Sequence, residues 1–153
     1  MVCGLVEWGR RPGNLIACMV LLSGKSTQLP SFILEHQLSQ GMPCKILCTE
    51  PRRISAITLA QRVSRELGDA PGAVGTMASL VGYSIRLESN TSRNTRLTYC
   101  TNGIALRMLE DGSGRDGNGM ALDDITHIII DEVRFSLGFL KVATLSFFLI
   151  LGA

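Results

Sequence analysis

The sequence of 153 residues has almost no excess of charge of either sign, since 15 Lys plus Arg face 13 Asp plus Glu and leave a net charge of +2. This balance excludes an acidic solvating tail and a protein-wide cationic field as the basis of function. Lysine is scarce, with 3 residues against 12 arginines, and arginine favours planar, bidentate contact with phosphate or carboxylate. We therefore expect an anionic partner that is held by local groups of arginines.

Cysteine pairs at metal-ligand spacing are absent, because the five cysteines are scattered without a CxxC motif, and the chain has only 2 histidines. This pattern argues against a zinc site and against a disulfide scaffold. Cys44 and Cys48 lie in one apolar run, and we expect them to be buried free thiols. The pattern favours a reducing, intracellular location, in the cytoplasm or the nucleus.

No uncharged apolar run reaches the length of about 20 residues that a membrane-spanning helix needs. The stretch Leu15 to Leu22 has eight residues and continues without a small-residue cleavage site, which favours a buried strand over a signal peptide. Segment 135–153 has 19 residues interrupted by Lys141, and its last twelve are uncharged. A membrane anchor formed by this tail stays open as the less favoured alternative.

The length suits one compact domain, along which two kinds of apolar segment alternate. Helical spacing is found in 28–40 and 54–67, which are followed by Gly41 and Gly68 as stop signals. A shorter helix is expected over 103–110. The alternation predicts an α/β fold with a mostly parallel sheet covered by helices on both faces. The predicted strands are the apolar runs at 15–22, 44–48, 81–87, 95–100 and 126–130.

Gly24, Lys25, Ser26 and Thr27 form the sequence GKST between the first predicted strand and the first predicted helix. In a P-loop, backbone N–H groups at the helix start cradle phosphate oxygens, the lysine reaches the β- and γ-phosphates, and the Ser or Thr hydroxyl binds Mg²⁺. The first glycine of the full pattern GxxxxGK[ST] is replaced by Met19, where the turn usually needs a flexible residue. The motif predicts a site for a nucleotide and Mg²⁺ with an atypical first half.

Asp131 and Glu132 directly follow the apolar strand predicted over 126–130, and Asp131 lies 106 positions after Lys25. In P-loop NTPases an acidic residue at such a strand end holds Mg²⁺, and a neighbouring glutamate orients the attacking water. Ligands of open α/β sheets bind at the carboxyl ends of the strands. We therefore expect this acidic pair to lie beside the GKST segment.

Two further strand ends carry polar and cationic groups. TEPRR, at 49–53, places two arginines at a strand-to-helix junction, where guanidinium groups and a helix N-terminus suit the phosphate backbone of a polynucleotide. Segment 101–107 repeats the pattern with a hydroxyl, an amide, a glycine and then a cation. The sequence does not place the three arginines between these segments on a common face. They are Arg86, Arg93 and Arg96.

In this order, GKSTQLP, TEPRRISA, TNGIALRML and IIIDEV resemble motifs I, Ia, Ib and II of the first RecA-like lobe of DEAH-box RNA helicases, in the branch related to RNA helicase A. LAQRVSRELG and VGYSIRLES are similar to the same family. The resemblance covers Gly24 to Val133, which is 110 of the 153 residues. It implies a P-loop NTPase lobe over 24–133 that binds ATP and Mg²⁺ and contacts the backbone of single-stranded RNA. The remaining segments, 1–23 with the first strand and the apolar tail 134–153, are atypical for the family.

The resemblance assigns roles residue by residue. It implies nucleotide binding by Gly24, Lys25, Ser26 and Thr27, catalytic roles for Lys25, Asp131 and Glu132, and metal binding by Ser26, Asp131 and Glu132. It implies RNA binding by Thr49, Pro51, Arg52, Arg53, Thr101, Gly103 and Arg107. The chain departs from the family at two places: Met19 to Ser23 lack the glycine-rich start of motif I, and Arg134 stands where the family has His.

The implied activity is that of part of an ATP-dependent RNA helicase, a nucleoside-triphosphate hydrolase. Phosphoryl transfer relies on several groups acting at once, and the second lobe with its arginines is not in the sequence, so we expect weak or no hydrolysis by this chain alone. We expect the sheet to be incomplete on its C-terminal side and the chain to be poorly soluble. Two alternatives stay open: a non-catalytic nucleotide- or RNA-binding module, and an inactive product of a truncated gene whose flanks are not helicase sequence.

Overall fold

The computed structural model describes residues 16–19, 26–110 and 124–130. Strands and helices alternate along these residues, as the sequence predicts. The strands are β1 (Ile16–Met19), β2 (Ile46–Glu50), β3 (Val81–Ile85), β4 (Glu88–Asn90), β5 (Leu97–Thr101) and β6 (His127–Ile130). The helices are α1 (Gln28–Ser39), α2 (Arg53–Glu66) and α3 (Asn102–Glu110).

The six strands form one sheet in the order β1-β6-β2-β5-β3-β4. The pairings are parallel except that of β3 with β4, which is an antiparallel hairpin. The five mutually parallel strands therefore end at one edge of the sheet, which we call the carboxyl edge, and begin at the opposite amino edge. The last residues of these strands at the carboxyl edge are Met19, Ile130, Glu50, Thr101 and Ile85.

Buried side chains alternate between the two faces of the sheet, as the period of a β-strand requires. Cys48 and Tyr99 belong to a core that includes residues of α1 and α2. Leu47 and Cys100 belong to a second core that includes residues of α3. The prediction of a mostly parallel sheet with helices on both faces is therefore confirmed. We call these sides the α1/α2 face and the α3 face.

The two longer helices end where the sequence predicts. Gly41, just beyond α1, has φ of 65° and Gly68, just beyond α2, has φ of 90°. These angles lie in the left-handed region that glycine enters at the least cost. Both glycine stop signals are therefore confirmed.

Two predicted strands are displaced or divided in the structure. β2 begins at Ile46 and ends at Glu50 rather than spanning 44–48, because its ladder with β5 continues to the pair Glu50 and Thr101. The segment 81–87 does not form one strand, since β3 ends at Ile85 and the chain turns back into β4. β4 is not among the predicted strands, because its residues are too polar to signal a strand; its described pairing is with β3.

The two thiols that the sequence predicts to be buried are buried, and neither forms a disulfide with a described residue. Cys44 precedes β2, Cys48 lies within it, and both belong to the core of the α1/α2 face. Burial raises the pKa of the Cys44 thiol, and a hydrogen bond with Thr126 lowers it by a smaller amount. Such a thiol stays protonated near neutral pH and packs as a small apolar group.

Candidate functional site at the carboxyl edge

The structure describes a part of the predicted site. Ser26, Thr27 and all seven predicted RNA-binding residues lie within it, whereas the predicted residues Gly24, Lys25, Asp131 and Glu132 lie outside the described residues. Among the residues that the structure describes, no group of three or more His, Cys, Asp and Glu side chains could hold a metal ion. The tail 134–153 also lies outside, and no helix of the described chain is long and apolar enough to cross a membrane.

Ser26 and Thr27 form the turn that enters α1, and two hydroxyl groups hold its backbone. The Tyr99 hydroxyl donates a hydrogen bond of 2.5 Å to the carbonyl oxygen of Ser26. The Ser31 hydroxyl donates one of 2.8 Å to the carbonyl oxygen of Thr27. Thr27 is itself only 7% exposed. The turn is therefore fixed against β5 on the α1/α2 face.

The strands that flank this region end at the same level. Met19 of β1 is the register partner of Ile130 of β6, which in turn pairs with Thr49 of β2. The chain leaves β1 and β6 at neighbouring points of the carboxyl edge. The expectation that Asp131 and Glu132 lie beside the GKST segment stays a prediction, because the acidic pair, Gly24 and Lys25 lie outside the described residues.

The end of β2 passes from buried to exposed residues within a few positions. Thr49 and Glu50 are 1% and 4% exposed, whereas Pro51, Arg52 and Arg53 are exposed. α2 begins at Arg53, and among the described residues its N-cap, Arg52, makes no side-chain hydrogen bond to the helix. The first N–H groups of a helix have no partner within it. This strand end therefore presents two guanidinium groups and backbone N–H donors in the same place.

The end of β5 repeats this arrangement beside it. Thr101 is half-buried, α3 begins at Asn102, and Gly103 and Arg107 are exposed. A Cβ atom placed on Gly103 would meet nothing within 4 Å, so the backbone here faces open space. Because Thr101 is the register partner of Glu50, the chain leaves β2 and β5 at neighbouring points of the carboxyl edge, and α2 and α3 begin there before they cover opposite faces of the sheet.

The structure separates the three arginines that the sequence could not place. β3 pairs with β5 up to Ser84 and Cys100, so the tip of the β3–β4 hairpin, Arg86 and Leu87, projects at the carboxyl edge. Arg93 and Arg96 precede β5 and therefore lie toward the amino edge, where the Arg96 carbonyl oxygen accepts a hydrogen bond of 2.6 Å from the N–H of Ile46. Sequence reasoning missed Arg86 because only the pairing of β3 with β5 shows where the hairpin points.

The hairpin tip has an unusual backbone. Leu87 has φ of 69° and its side chain is 97% exposed. A residue with a side chain is uncommon in this left-handed region and costs of order 1 kcal/mol there. Next to it, Glu88 accepts a hydrogen bond of 2.5 Å from the hydroxyl of Tyr83. The tip thus holds an exposed apolar group beside an exposed guanidinium group.

Among the residues that the structure describes, four exposed arginines supply positive charge at this edge, and we call them the carboxyl-edge arginines. They are distributed over the ends of three neighbouring strands, β2, β5 and β3. Neighbouring strands lie about 4.8 Å apart, so these strand ends span roughly 10 Å. The carboxyl-edge arginines are Arg52, Arg53, Arg86 and Arg107.

The buried histidine is not part of this edge. His127 begins β6 at the amino edge and is 8% exposed. Burial lowers the pKa of its imidazole below the ordinary value of 6.5. The Thr126 hydroxyl lies 2.8 Å from its Nδ1 atom. His127 is therefore a neutral residue of the core near neutral pH.

Comparison with known proteins gives several related helicases, although no protein-family model matches the chain. The chain is 54% identical over 115 residues to the ATP-dependent RNA helicase dhx29 of Xenopus laevis, covering 73% of this chain and 8% of that protein. It is 51% identical over 133 residues to the ATP-dependent RNA helicase DHX29 of Mus musculus, covering 85% and 9%. It is 47% identical over 113 residues to the DExH-box ATP-dependent RNA helicase DExH1 of Arabidopsis thaliana, covering 72% and 10%.

The fold agrees with these relatives. The crystal structure of the Escherichia coli DEAH/RHA helicase HrpB matches with a TM-score of 0.57 and 30% sequence identity, covering 92% of this chain and 16% of that chain. The chain spans 8% to 10% of the length of the three curated relatives described above. By its sequence and its fold, the chain belongs to the DEAH-box RNA helicases, in the branch related to RNA helicase A, and forms part of the first RecA-like lobe.

Proposed function

We propose that this chain binds the phosphate backbone of single-stranded RNA along the carboxyl edge, as part of an ATP-dependent RNA helicase. The observation that carries the proposal is the convergence of the carboxyl-edge arginines and the N-termini of α2 and α3 on one edge of the sheet. Each phosphate needs hydrogen-bond donors and positive charge, and both are present here. Contacts with the phosphate backbone do not distinguish one base from another, so the affinity depends on RNA geometry and on salt concentration.

Within this edge, the residues contribute in different ways. Arg52, Arg53 and Arg107 supply guanidinium groups, and Gly103 allows close approach to the backbone of α3. Thr101 offers a hydroxyl at the end of β5. Pro51 is exposed beside the arginines, whereas Thr49 is 1% exposed within β2, so we propose Thr49 as a support of the strand end. We add Arg86 of the hairpin tip to this set, because it is exposed at the same edge of the sheet.

We further propose that ATP with Mg²⁺ binds at the start of α1. Ser26 and Thr27 lie where the helix begins, and the first turn of α1 holds no acidic residue that would repel phosphate. Gly24 and Lys25 would complete the phosphate-binding turn. Mg²⁺ would neutralise phosphate charge during phosphoryl transfer, and the residues that would hold it are Ser26, Asp131 and Glu132.

We propose that hydrolysis by the chain alone is weak or absent. In this family of reactions, an arginine that reaches the phosphates from outside contributes a factor of ~10³ to 10⁵ to the rate. A second candidate function, a nucleotide- or RNA-binding module without turnover, rests on the same residues. Both functions suit the intracellular location, cytoplasmic or nuclear, that the cysteine pattern favours.

The test of the nucleotide site compares two lysine variants. Lys25→Ala removes the predicted phosphate ligand, and Lys45→Ala removes a lysine of the amino edge that pairs with Asp124 at 3.3 Å. We expect Lys25→Ala to weaken binding of a fluorescent ATP analogue with Mg²⁺ at least tenfold and Lys45→Ala to leave it within twofold. Equal affinities of all three proteins would contradict the nucleotide site.

ATP turnover with and without single-stranded RNA then separates the two functions. Turnover that RNA stimulates and that Lys25→Ala abolishes supports the enzyme. Turnover at background in both proteins, together with RNA binding that depends on Arg52 and Arg53, supports the binding module.

A further inference from the structure

Tyr99 joins the turn that enters α1 to the strand that ends in the proposed RNA site. Its hydroxyl donates a hydrogen bond of 2.5 Å to the carbonyl oxygen of Ser26, which lies 73 positions earlier in the chain. The whole residue is buried, at 0% exposure, in the core of the α1/α2 face. A phenol in such a core has little freedom to turn away from its partner.

The strand that carries Tyr99 is held firmly on both sides. Tyr99 is the register partner of Cys48 in β2 and of Tyr83 in β3. A strand paired on both edges shifts together with its neighbours. The position of the Tyr99 hydroxyl therefore follows the position of the central sheet.

Thr101 lies two positions after Tyr99 at the end of the same strand. Residues two apart in a strand point to the same face and lie about 7 Å apart. The proposed nucleotide turn and the proposed RNA contact are thus joined by one hydrogen bond and one short piece of strand. The Ser31 bond to Thr27, by contrast, stays within the first turn and entry of α1.

We propose that Tyr99 is a positioning residue of the nucleotide site, whose hydroxyl fixes the Ser26 backbone and couples it to RNA bound at Thr101. This inference rests on the proposed function, since it needs both ligands to bind. RNA that binds at the end of β5 restricts the movement of Tyr99, and the Tyr99 hydroxyl in turn restricts the movement of the Ser26 carbonyl group. Each ligand therefore raises the affinity for the other by the same factor, as thermodynamic linkage requires.

The test uses the only two tyrosines of the chain as a matched pair in the full chain. Tyr99→Phe removes the hydroxyl and keeps the ring. Tyr83→Phe removes the hydroxyl that bonds to Glu88, away from the turn. The measurement is the affinity for a fluorescent ATP analogue with Mg²⁺, in the absence of RNA and with saturating poly(U).

We expect poly(U) to raise the ATP-analogue affinity of the wild type at least fivefold, in the usual range of coupling between sites. We call this ratio of affinities with and without poly(U) the coupling factor. It falls below twofold in Tyr99→Phe and is retained in Tyr83→Phe. The affinity of Tyr99→Phe for poly(U) alone stays within twofold of wild type. If the Tyr99 hydroxyl had a purely structural role, Tyr99→Phe would lower the affinities for the ATP analogue and for poly(U) alike and leave the coupling factor unchanged.

The outcomes separate the inference from the proposed function. Binding of both ligands with a coupling factor that Tyr99→Phe retains overturns the inference and leaves the function standing. Binding of both ligands by the wild type without coupling does the same. If the wild type binds neither ligand, the proposed function fails, and the inference fails with it.

A second measurement covers the case in which Tyr99→Phe does not fold. Hydrogen exchange of the wild type, with and without poly(U), reports on the backbone N–H groups of Gln28, Leu29 and Ser31 at the start of α1. We expect poly(U) to slow their exchange several-fold more than that of amides 36–39 at the end of the same helix. Equal change at both ends of α1, or none, overturns the inference.

Discussion

Glu50 and Thr101 are register partners at the last paired position of β2 and β5. From this pair the two chains leave the sheet together and enter α2 and α3. Segments that are 51 positions apart in the sequence are thereby brought to neighbouring points of the carboxyl edge. The proposed RNA site is a consequence of this register, and the predictions below test its parts.

Gly103→Ala tests the close approach of RNA to α3. Gly103 does not have a left-handed φ and has open space around it, so alanine is accommodated and raises the free energy of unfolding by up to about 1 kcal/mol. The added methyl group stands where the phosphate backbone is proposed to approach. We expect RNA affinity, measured by fluorescence anisotropy, to fall several-fold while thermal stability holds or rises.

Gly68→Ala is the control for this variant. Gly68 has φ of 90°, so alanine there costs of order 1 kcal/mol of stability, and the site is at the far end of α2. RNA affinity should be unchanged. A Gly103→Ala protein that binds RNA as tightly as wild type would place the RNA elsewhere.

Arg86→Ala tests whether the hairpin tip belongs to the RNA site. Arg86 lies at the carboxyl edge, and Arg93 lies toward the amino edge, although both are exposed. We expect Arg86→Ala to weaken RNA binding several-fold, because one phosphate contact is lost, and Arg93→Ala to leave binding within twofold. A larger effect of Arg93→Ala than of Arg86→Ala would contradict the orientation of this edge toward RNA.

The pH dependence of stability should depend on His127. Burial lowers its pKa in the folded protein below 6.5, so the unfolded chain binds the proton more tightly. The contribution of His127 to the free energy of unfolding is therefore constant well above pH 6.5. It falls as the pH drops through about 6.5, by up to about 1.4 kcal/mol per pH unit. Urea unfolding at pH 7.5 and 5.5 measures the loss.

The chain offers a matched pair of histidine variants for this measurement. His127→Asn should reduce the difference in stability between pH 7.5 and 5.5, whatever its effect on stability itself. His36→Asn, on the exposed side of α1, should retain the difference. The opposite ranking of the two variants would contradict the assignment to His127.

A buried hydroxyl without a partner predicts a stabilising substitution. Thr98 is 0% exposed, and within the described part of the chain its hydroxyl has no hydrogen-bond partner. Thr98→Val keeps the shape and removes the unsatisfied polar group, so we expect it to raise the free energy of unfolding by about 1 kcal/mol. Thr126→Val should lower it by about 1 kcal/mol, because the Thr126 hydroxyl bonds to both the N–H and the carbonyl oxygen of Lys45. In thermal unfolding, the melting temperature should rise in Thr98→Val and fall in Thr126→Val.

The sequence predicts the central strands and the helices well, because their apolar periodicity is strong. All residues of β2 and the first three of β6 are buried. Gly41 and Gly68 mark the ends of α1 and α2 through their backbone angles. The sequence does not predict β4, since its residues are polar and only pairing with β3 makes them a strand. The fold class follows from the alternation of strand-like and helix-like apolar segments along the chain. The order of the strands in the sheet does not follow from this pattern.

The site is predictable to the same degree. The order of motifs places Arg52, Arg53 and Arg107 at strand ends, and the structure brings those ends together. No motif shows that Arg86 shares their edge while Arg96 does not, because this depends on the direction in which β3 pairs with β5. The burial of Thr49 likewise follows from the position of β2 inside a sheet that is covered on both faces, where all five of its residues are buried, and not from its motif.

The most direct measurement for the RNA site compares two double variants of α2. Arg52→Ala with Arg53→Ala removes two positive charges at the carboxyl edge, and Arg62→Ala with Arg65→Ala removes two exposed ones near the other end of the same helix. Affinity for a single-stranded RNA is measured by anisotropy over a range of salt concentrations. We predict that the first pair weakens binding at least tenfold and reduces the slope of log K against log salt by about 1.4, at about 0.7 for each lost phosphate contact, while the second pair stays within twofold of wild type. Equal losses for both pairs, or no loss for the first, would contradict RNA binding at the carboxyl edge.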